Sequence, residues 1–261
     1  MMVRGRYLAL SPMRRFVSDM LDFARRVPTV PVERSIDVAK ALELRGRLSQ
    51  KFSWCALFLR AYGLVNVRFP ELRRAYMEFP RPRLYEHPFS IASVAVERLY
   101  QGELCVFFGH IRGPENQTLQ ELESYVREYK EMPVEQVGIY RRALRISRFP
   151  NPLRRLMWSY GFHTSGPGRA RRFGTFGLST YSSLGAQSLH PLSPLSTTLN
   201  YGPIKPDCTV NVRIVYDHRV MDGCTIARVL GALEEVFNSE LLIEMARSSD
   251  SSDYPLLKKA S

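Results

Sequence analysis

The chain has 261 residues, 45% of them hydrophobic and 24% charged, with four cysteines and a formal net charge of +12. That composition belongs to a globular chain able to bury a sizeable core, and it excludes a disordered or fibrous protein. No apolar run approaches the roughly 20 residues of a membrane span, so no membrane partner is expected. The positive charge suits an anionic partner such as nucleic acid or a phosphorylated ligand. No zinc-finger spacing, aromatic RNA-binding pattern or helix-turn-helix signature accompanies it, so a nucleic-acid reading rests on charge alone.

The N-terminal stretch is rich in Arg, as a transit peptide would be. However, Met13, Phe16, Val17, Met20 and Ala24 recur at helical spacing. An amphipathic helix is therefore expected over residues 12–27, opening on the Ser11-Pro12 pair that suits an N-cap and first turn. VPTVPVERSIDV reads as a strand whose prolines suggest a sheet edge or an irregular entry. Helices follow over residues 38–48 and 53–65, the second (SWCALFLRAYGLV) apolar all round and so buried. FPRPRLYEHP, residues 79–88, reads as an extended connection. PFSIASVAV and LCVFFGHI read as two strands joined by a turn near Gly102, and GPENQTLQELESYVREYKE as a loop and helix. Residues 141–160 read as helix broken near Pro150 and Pro152.

The C-terminal third changes character. FGTFGLSTYSS, LSTTLNYG and CTVNVRIVYDH read as strands, and DGCTIARVLGALEEVFNS as an amphipathic helix. Helices and strands alternate irregularly, which points to an α/β or α+β sandwich: a mixed β-sheet packed with helices. One domain is expected over residues 1–246, followed by a polar, disordered tail over 247–261.

No cysteine pair has C-x-x-C spacing, and the histidines have no metal-ligand spacing, so no metal is expected. Cys55 and Cys105 lie in apolar runs and read as core residues, which suits a reducing cytoplasm. Two arginine clusters stand out, one from Arg141 to Arg155 and one at Arg169, Arg171 and Arg172. Each reads as a solvated face or as a rim holding phosphates.

The stretch that carries chemistry is YDHRVMDG, residues 216–223. A strand delivers His218 at its end, and a helix opens a few residues later at Asp222-Gly223. A strand end is a rigid platform for a catalytic imidazole. The stretch resembles the D-H-R-x-x-D-G signature of the dihydrolipoyl acyltransferases of 2-oxo acid dehydrogenase complexes, whose catalytic domain has the chloramphenicol acetyltransferase-like fold. RRFVSDM with the VPTV and SIDV that follow it, FSWCALFLRAYGLVNVRFPEL and GTFGLSTYSSLG resemble further pieces of that domain, in the same order, over about residues 8 to 245.

The resemblance implies a coenzyme A-dependent acyltransferase. His218 would be the general base that takes the proton of a thiol as it attacks a thioester. Ser179 would donate to the oxyanion, with Thr180 as the alternative. Asp222 would organise the site through an arginine, among which Arg14, Arg15 and Arg219 stay open, or would cap a helix. The family further implies acyl-CoA and a thiol or hydroxyl acceptor as substrates, with coenzyme A as the only cofactor. It implies a homotrimer or an assembly of trimers in which His218 and Ser179 of adjoining subunits meet. The chain carries no lipoyl-lysine hairpin, so any lipoyl group would sit on a separate protein. His190-Pro-Leu-Ser-Pro and FPRPRLYEHP depart from the family and are expected to reshape the acceptor end. The alternative reading is a non-catalytic trimeric scaffold derived from the same fold.

Overall fold

A computed structural model describes residues 5–49 and 51–250. The chain opens with helix α1 (Pro12–Ala24), whose N-cap Ser11 accepts a bond from the Arg14 backbone N–H. Strand β1 (Thr29–Asp37) follows, then α2 (Ala39–Arg47) and α3 (Trp54–Arg68). Ser53 caps α3, and Ala56, Leu57, Phe58, Leu59 and Tyr62 are all fully buried. The all-round apolar character of that segment is what allows α3 to sit inside the core.

Residues 79–88 are not a plain extended connection. Strands β2 (Arg74–Met77) and β3 (Arg83–Glu86) form an antiparallel hairpin, with Arg74 paired to Glu86 at 2.8 Å. Pro80 and Pro82 fall in the loop between the strands, where no ladder hydrogen bond is required of them. Strands β4 (Ile91–Tyr100) and β5 (Glu103–Arg112) form a second hairpin. Helix α4 (Leu119–Glu131) begins at a capping box formed by Thr118 and Glu121. Helices α5 (Gly138–Ser147) and α6 (Asn151–His163) are separated at Pro150, as the prolines predict.

A further helix, α7 (Gly166–Phe173), precedes strand β6 (Phe176–Leu178), which is far shorter than the sequence suggests. Gly174 joins them at φ 93°, a conformation open to glycine, where a Cβ would lie 2.9 Å from the Ile91 carbonyl oxygen. Strands β7 (Thr197–Ile204) and β8 (Thr209–Asp217) complete the sheet, and α8 (Gly223–Phe237) and α9 (Glu240–Asp250) close the described chain. Helix α9 takes residues 247–250 out of the expected disordered tail. Residues 251–261 lie outside the described residues.

The main sheet runs β1-β8-β7-β6-β4-β5. Neighbours β4, β6 and β7 are parallel, and the other pairs are antiparallel. It is the expected mixed sheet packed with helices, with the proline-bearing β1 at one edge. The core lies between the sheet and α3, α4 and α8. Phe58 there stacks on Tyr201 at 4.0 Å and meets Phe237 at 4.7 Å. Among the described residues, no helix is long and apolar enough to cross a membrane.

Candidate active site

β8 ends at Asp217, and the next residue is still tied to the sheet, since the His218 N–H donates to the Pro28 carbonyl at 3.1 Å. The Asp217 carboxylate is wholly buried. It accepts from the Arg219 backbone N–H (3.0 Å) and from Nε (2.9 Å) and Nη2 (2.8 Å) of the same residue. This two-pronged clamp folds the Asp-His-Arg turn back on itself and leaves the imidazole between its partners, about half exposed. The carboxylate's hydrogen bonds in turn raise the Arg219 guanidinium above its ordinary range. That guanidinium lies over the Tyr76 ring at 4.3 Å, so the β2–β3 hairpin braces the clamp.

The structure settles where the open arginines go. Arg14 pairs with Glu103 at 2.7 Å, Arg15 donates to the Leu10 carbonyl, and Arg219 serves Asp217. None of the three meets Asp222. Asp222 stands at the N-cap position of α8 but makes no side-chain capping bond. Its largely exposed carboxylate lies 3.7 Å from His218 Nδ1, too long for a hydrogen bond.

Ser179 follows β6 directly, its N–H donating to Leu199 O at 3.1 Å and its carbonyl accepting from Asn200 Nδ2 at 2.5 Å. Its hydroxyl makes no hydrogen bond among the described residues. Thr180 differs: its hydroxyl donates to Tyr201 O or Ser182 Oγ and accepts from the Ser182 N–H. The threonine is thus committed to its own turn, and Ser179 is the free donor of the two.

Ser179 faces a cavity of about 880 Å³. His218 does not line it. In register terms Ser179 is level with Arg213 two strands away, while His218 continues from Asp217 opposite Ser196. Five residues along and two strands across put the two roughly 20 Å apart within one chain.

The cavity wall divides chemically. One part comes from α2, α3 and α4 and carries Arg45, Trp54 and Lys130. The Arg45 guanidinium lies over Trp54 at 5.7 Å, and Lys130 makes no ion pair among the described residues. Cys55, in the same part, is buried, and desolvation pushes its thiol up to about 12, so it is no nucleophile. The other part comes from α1, α6, α7 and β5 and is aromatic: Phe16, Phe108, Trp158 and Phe173. Pro191 to Pro194 of the His190-Pro-Leu-Ser-Pro run also line the cavity, whereas His190 bonds Thr29 Oγ1 at 2.8 Å.

Most of the two arginine clusters is a solvated face, since Arg141, Arg142, Arg145, Arg148, Arg155 and Arg171 are exposed; Arg154, Arg169 and Arg172 are the exceptions. Arg154 is buried against Asp19 at 2.6 Å. Arg169 is buried and donates to the Tyr76 and Pro194 carbonyls, and desolvation brings it down to about 10. Arg172 alone of the second cluster reaches the cavity. Sequence reasoning missed His110 and Trp158. His110 lies on the partly exposed face of β5 with Val106 and Phe108, while Cys105, Phe107, Gly109 and Ile111 face the core. That alternation was the available signal. Among the described residues no His, Cys, Asp or Glu cluster is arranged to hold a metal.

Taken together, the short parallel β6 between β4 and β7, the helices packed on the sheet and the strand-end histidine define an acyltransferase-type fold. It is the fold of the dihydrolipoamide acetyltransferase catalytic cores of 2-oxo acid dehydrogenase complexes. A probable dihydrolipoamide acetyltransferase from Listeria monocytogenes superposes with a TM-score of 0.63 at 14% identity, over 98% of both chains. The dihydrolipoamide acetyltransferase of Azotobacter vinelandii gives 0.65 at 14% identity, over 91% of this chain and 93% of that one. A truncated catalytic core of the 2-oxoacid dehydrogenase complex from Thermoplasma acidophilum gives 0.64 at 17% identity, over 90% and 99%. A scan against protein-family models and a search of curated proteins found no match.

Proposed function

We propose that this protein is a coenzyme A-dependent acyltransferase that works by direct transfer between two bound substrates. The observation that carries the reading is the pairing of a clamped, strand-end His218 with a free Ser179 hydroxyl facing a large cavity in an acyltransferase fold. His218 takes the proton from the attacking thiol or hydroxyl as it closes on the thioester carbonyl. Ser179 donates to the oxyanion that forms. Arg45 and Lys130 suit the phosphates of coenzyme A, and the Trp54 ring offers a plane for its adenine. Asp222 acts on His218 through space rather than as an arginine-bound organiser.

Because the two groups lie far apart in one chain, the working site needs a second copy. We infer a ring-closed oligomer, a trimer as in the resemblance above, in which each interface joins one subunit's His218 to the next subunit's Ser179. Whether the acyl group leaves on a lipoyl thiol of another protein or on a small molecule depends on the acceptor end of the cavity.

The test is complementation. Acyl-CoA-dependent thiol release is measured for wild type, His218→Ala and Ser179→Ala, and for the two variants unfolded together and refolded at equal amounts. Each variant alone is impaired, the histidine change nearly to zero and the serine change by roughly 10²–10³. Random reassortment makes one interface in four intact, so the mixture should recover about a quarter of wild-type activity. A mixture no better than the average of its parts would overturn the shared site. Full activity of both variants alone would overturn the assigned residues, and no acyl-CoA-dependent thiol release by wild type would overturn the acyltransferase assignment and leave the non-catalytic scaffold.

A further inference from the structure

We propose that the aromatic part of the cavity is an acceptor pocket built for a bulky, apolar alcohol or phenol rather than for a slender dithiol arm. The proposal rests on the acyltransferase reading for its meaning, but the pocket itself is argued from three independent observations.

The first is the wall. Trp158 lies against Phe16 at 4.9 Å and is stacked on Phe173 at 5.2 Å, and Phe16 meets Phe108 at 6.3 Å. With Met20 these rings form a continuous apolar lining on the same cavity as Ser179. A thin polar chain would leave most of that surface facing water, whereas an aromatic or branched body would cover it.

The second is the indole N–H of Trp158. The side chain is 4% exposed, and its Nε1 has no hydrogen-bond partner among the described residues. A buried donor of this kind costs free energy until something accepts from it. The atom is closed off in the free protein, so an oxygen accepts from it on a molecule that parts the side chains covering it.

The third is His110, which lines the same cavity. Burial drives its imidazole down to about 4, with the Arg171 backbone opposing, so the ring is neutral near pH 7. A neutral imidazole whose N–H serves a backbone carbonyl keeps one nitrogen as an acceptor only. The pocket therefore offers one donor and one acceptor in an otherwise apolar wall. A hydroxyl group satisfies both, since it accepts from one and donates to the other. Ammonium groups are disfavoured, because neither Trp158 nor neutral His110 would neutralise their charge and Arg172 lines the same cavity.

The balance of the step is that of ordinary transesterification. In the step the hydroxyl turns its proton from His110 to the general base; the alcohol oxygen forms the bond to the acyl carbon, the thioester carbon–sulfur bond breaks, and the proton passes on to the leaving thiolate.

Isothermal titration with 3-phenyl-1-propanol, on the full chain without acyl-CoA, tests the pocket apart from catalysis. Saturable binding is expected for wild type. Trp158→Phe, which preserves the ring stack and removes the N–H, should weaken it about tenfold, the worth of one buried hydrogen bond. His110→Ala and the milder His110→Phe should each do the same. Dihydrolipoamide should not compete. No saturable binding by wild type, equal binding by all variants, or tighter binding of dihydrolipoamide would each overturn the proposal. Binding without acyl transfer from any acyl-CoA would uphold the pocket and count against the enzymatic reading alone.

Discussion

Replacing Arg219 by Ala removes two of the three donors on a carboxylate that has no contact with water. Asp217 would keep only the backbone N–H of residue 219, at 3.0 Å. Breaking a buried pair by deleting one partner costs about 3–5 kcal/mol, because the remaining charge stays desolvated. The lower end is expected here, since Arg219 itself is about a third exposed and water can follow it in. Arg219→Lys keeps the charge but not the planar fork, so it should recover at most half of that loss, or about 1–2 kcal/mol. Guanidinium unfolding gives the stability change. The positioning role has a separate readout: kcat for thiol release should fall at least tenfold in Arg219→Ala while KM for acyl-CoA stays within about twofold, because His218 acts only as the bond forms. Arg219→Lys should fall between. A variant that unfolds with the wild-type midpoint, or that loses stability while keeping kcat, would refute the claim that this clamp sets the imidazole.

His110 makes stability depend on acid. Its folded-state pKa, about 4, lies below the ordinary 6.5, so the native state resists a proton that the unfolded chain accepts. Stability is therefore full above about pH 6.5 and drains as pH falls toward 4, by at most about 3 kcal/mol. His110→Asn should flatten that part of the melting-temperature profile between pH 7 and 4, and an unchanged slope would count against the burial argument. Asp19→Ala strands the guanidinium of Arg154, whose side chain is one-tenth exposed. It should cost about 3–5 kcal/mol in denaturant unfolding, whereas Asp19→Leu with Arg154→Met should cost far less.

What could be read from the residues, and what could not, follows from where each signal lives. The signature around His218 is local: strand, turn and helix start lie within eight positions, and the structure keeps them in that order. Ser179 was legible as a residue. Its advantage over Thr180 was not, because that advantage lies in the hydrogen bonds of the following turn to Ser182 and Tyr201. Likewise, three arginines could be proposed for Asp222 and none serves it, since each is claimed by a partner that sequence spacing does not show, Glu103 lying 89 positions from Arg14. The β2–β3 hairpin was hidden by its prolines, which mark the loop rather than the whole segment. Helix α7 was hidden by Gly166 and Gly168, poor helix formers. A side chain at residue 166 would run into the Tyr85 ring, so the glycine that weakens the helix is what lets the hairpin pack on it. The same reasoning explains the cavity. Val106, Phe108 and His110 alternate with core residues, and such a pattern says only that one face of β5 is less buried. It becomes a pocket because α1, α6 and α7 bring Phe16, Trp158 and Phe173 over that face from positions as much as 157 residues apart in the chain, between Phe16 and Phe173. A candidate site made of one local turn can be found by motif, while a pocket made of side chains from four elements exists only once the packing is known.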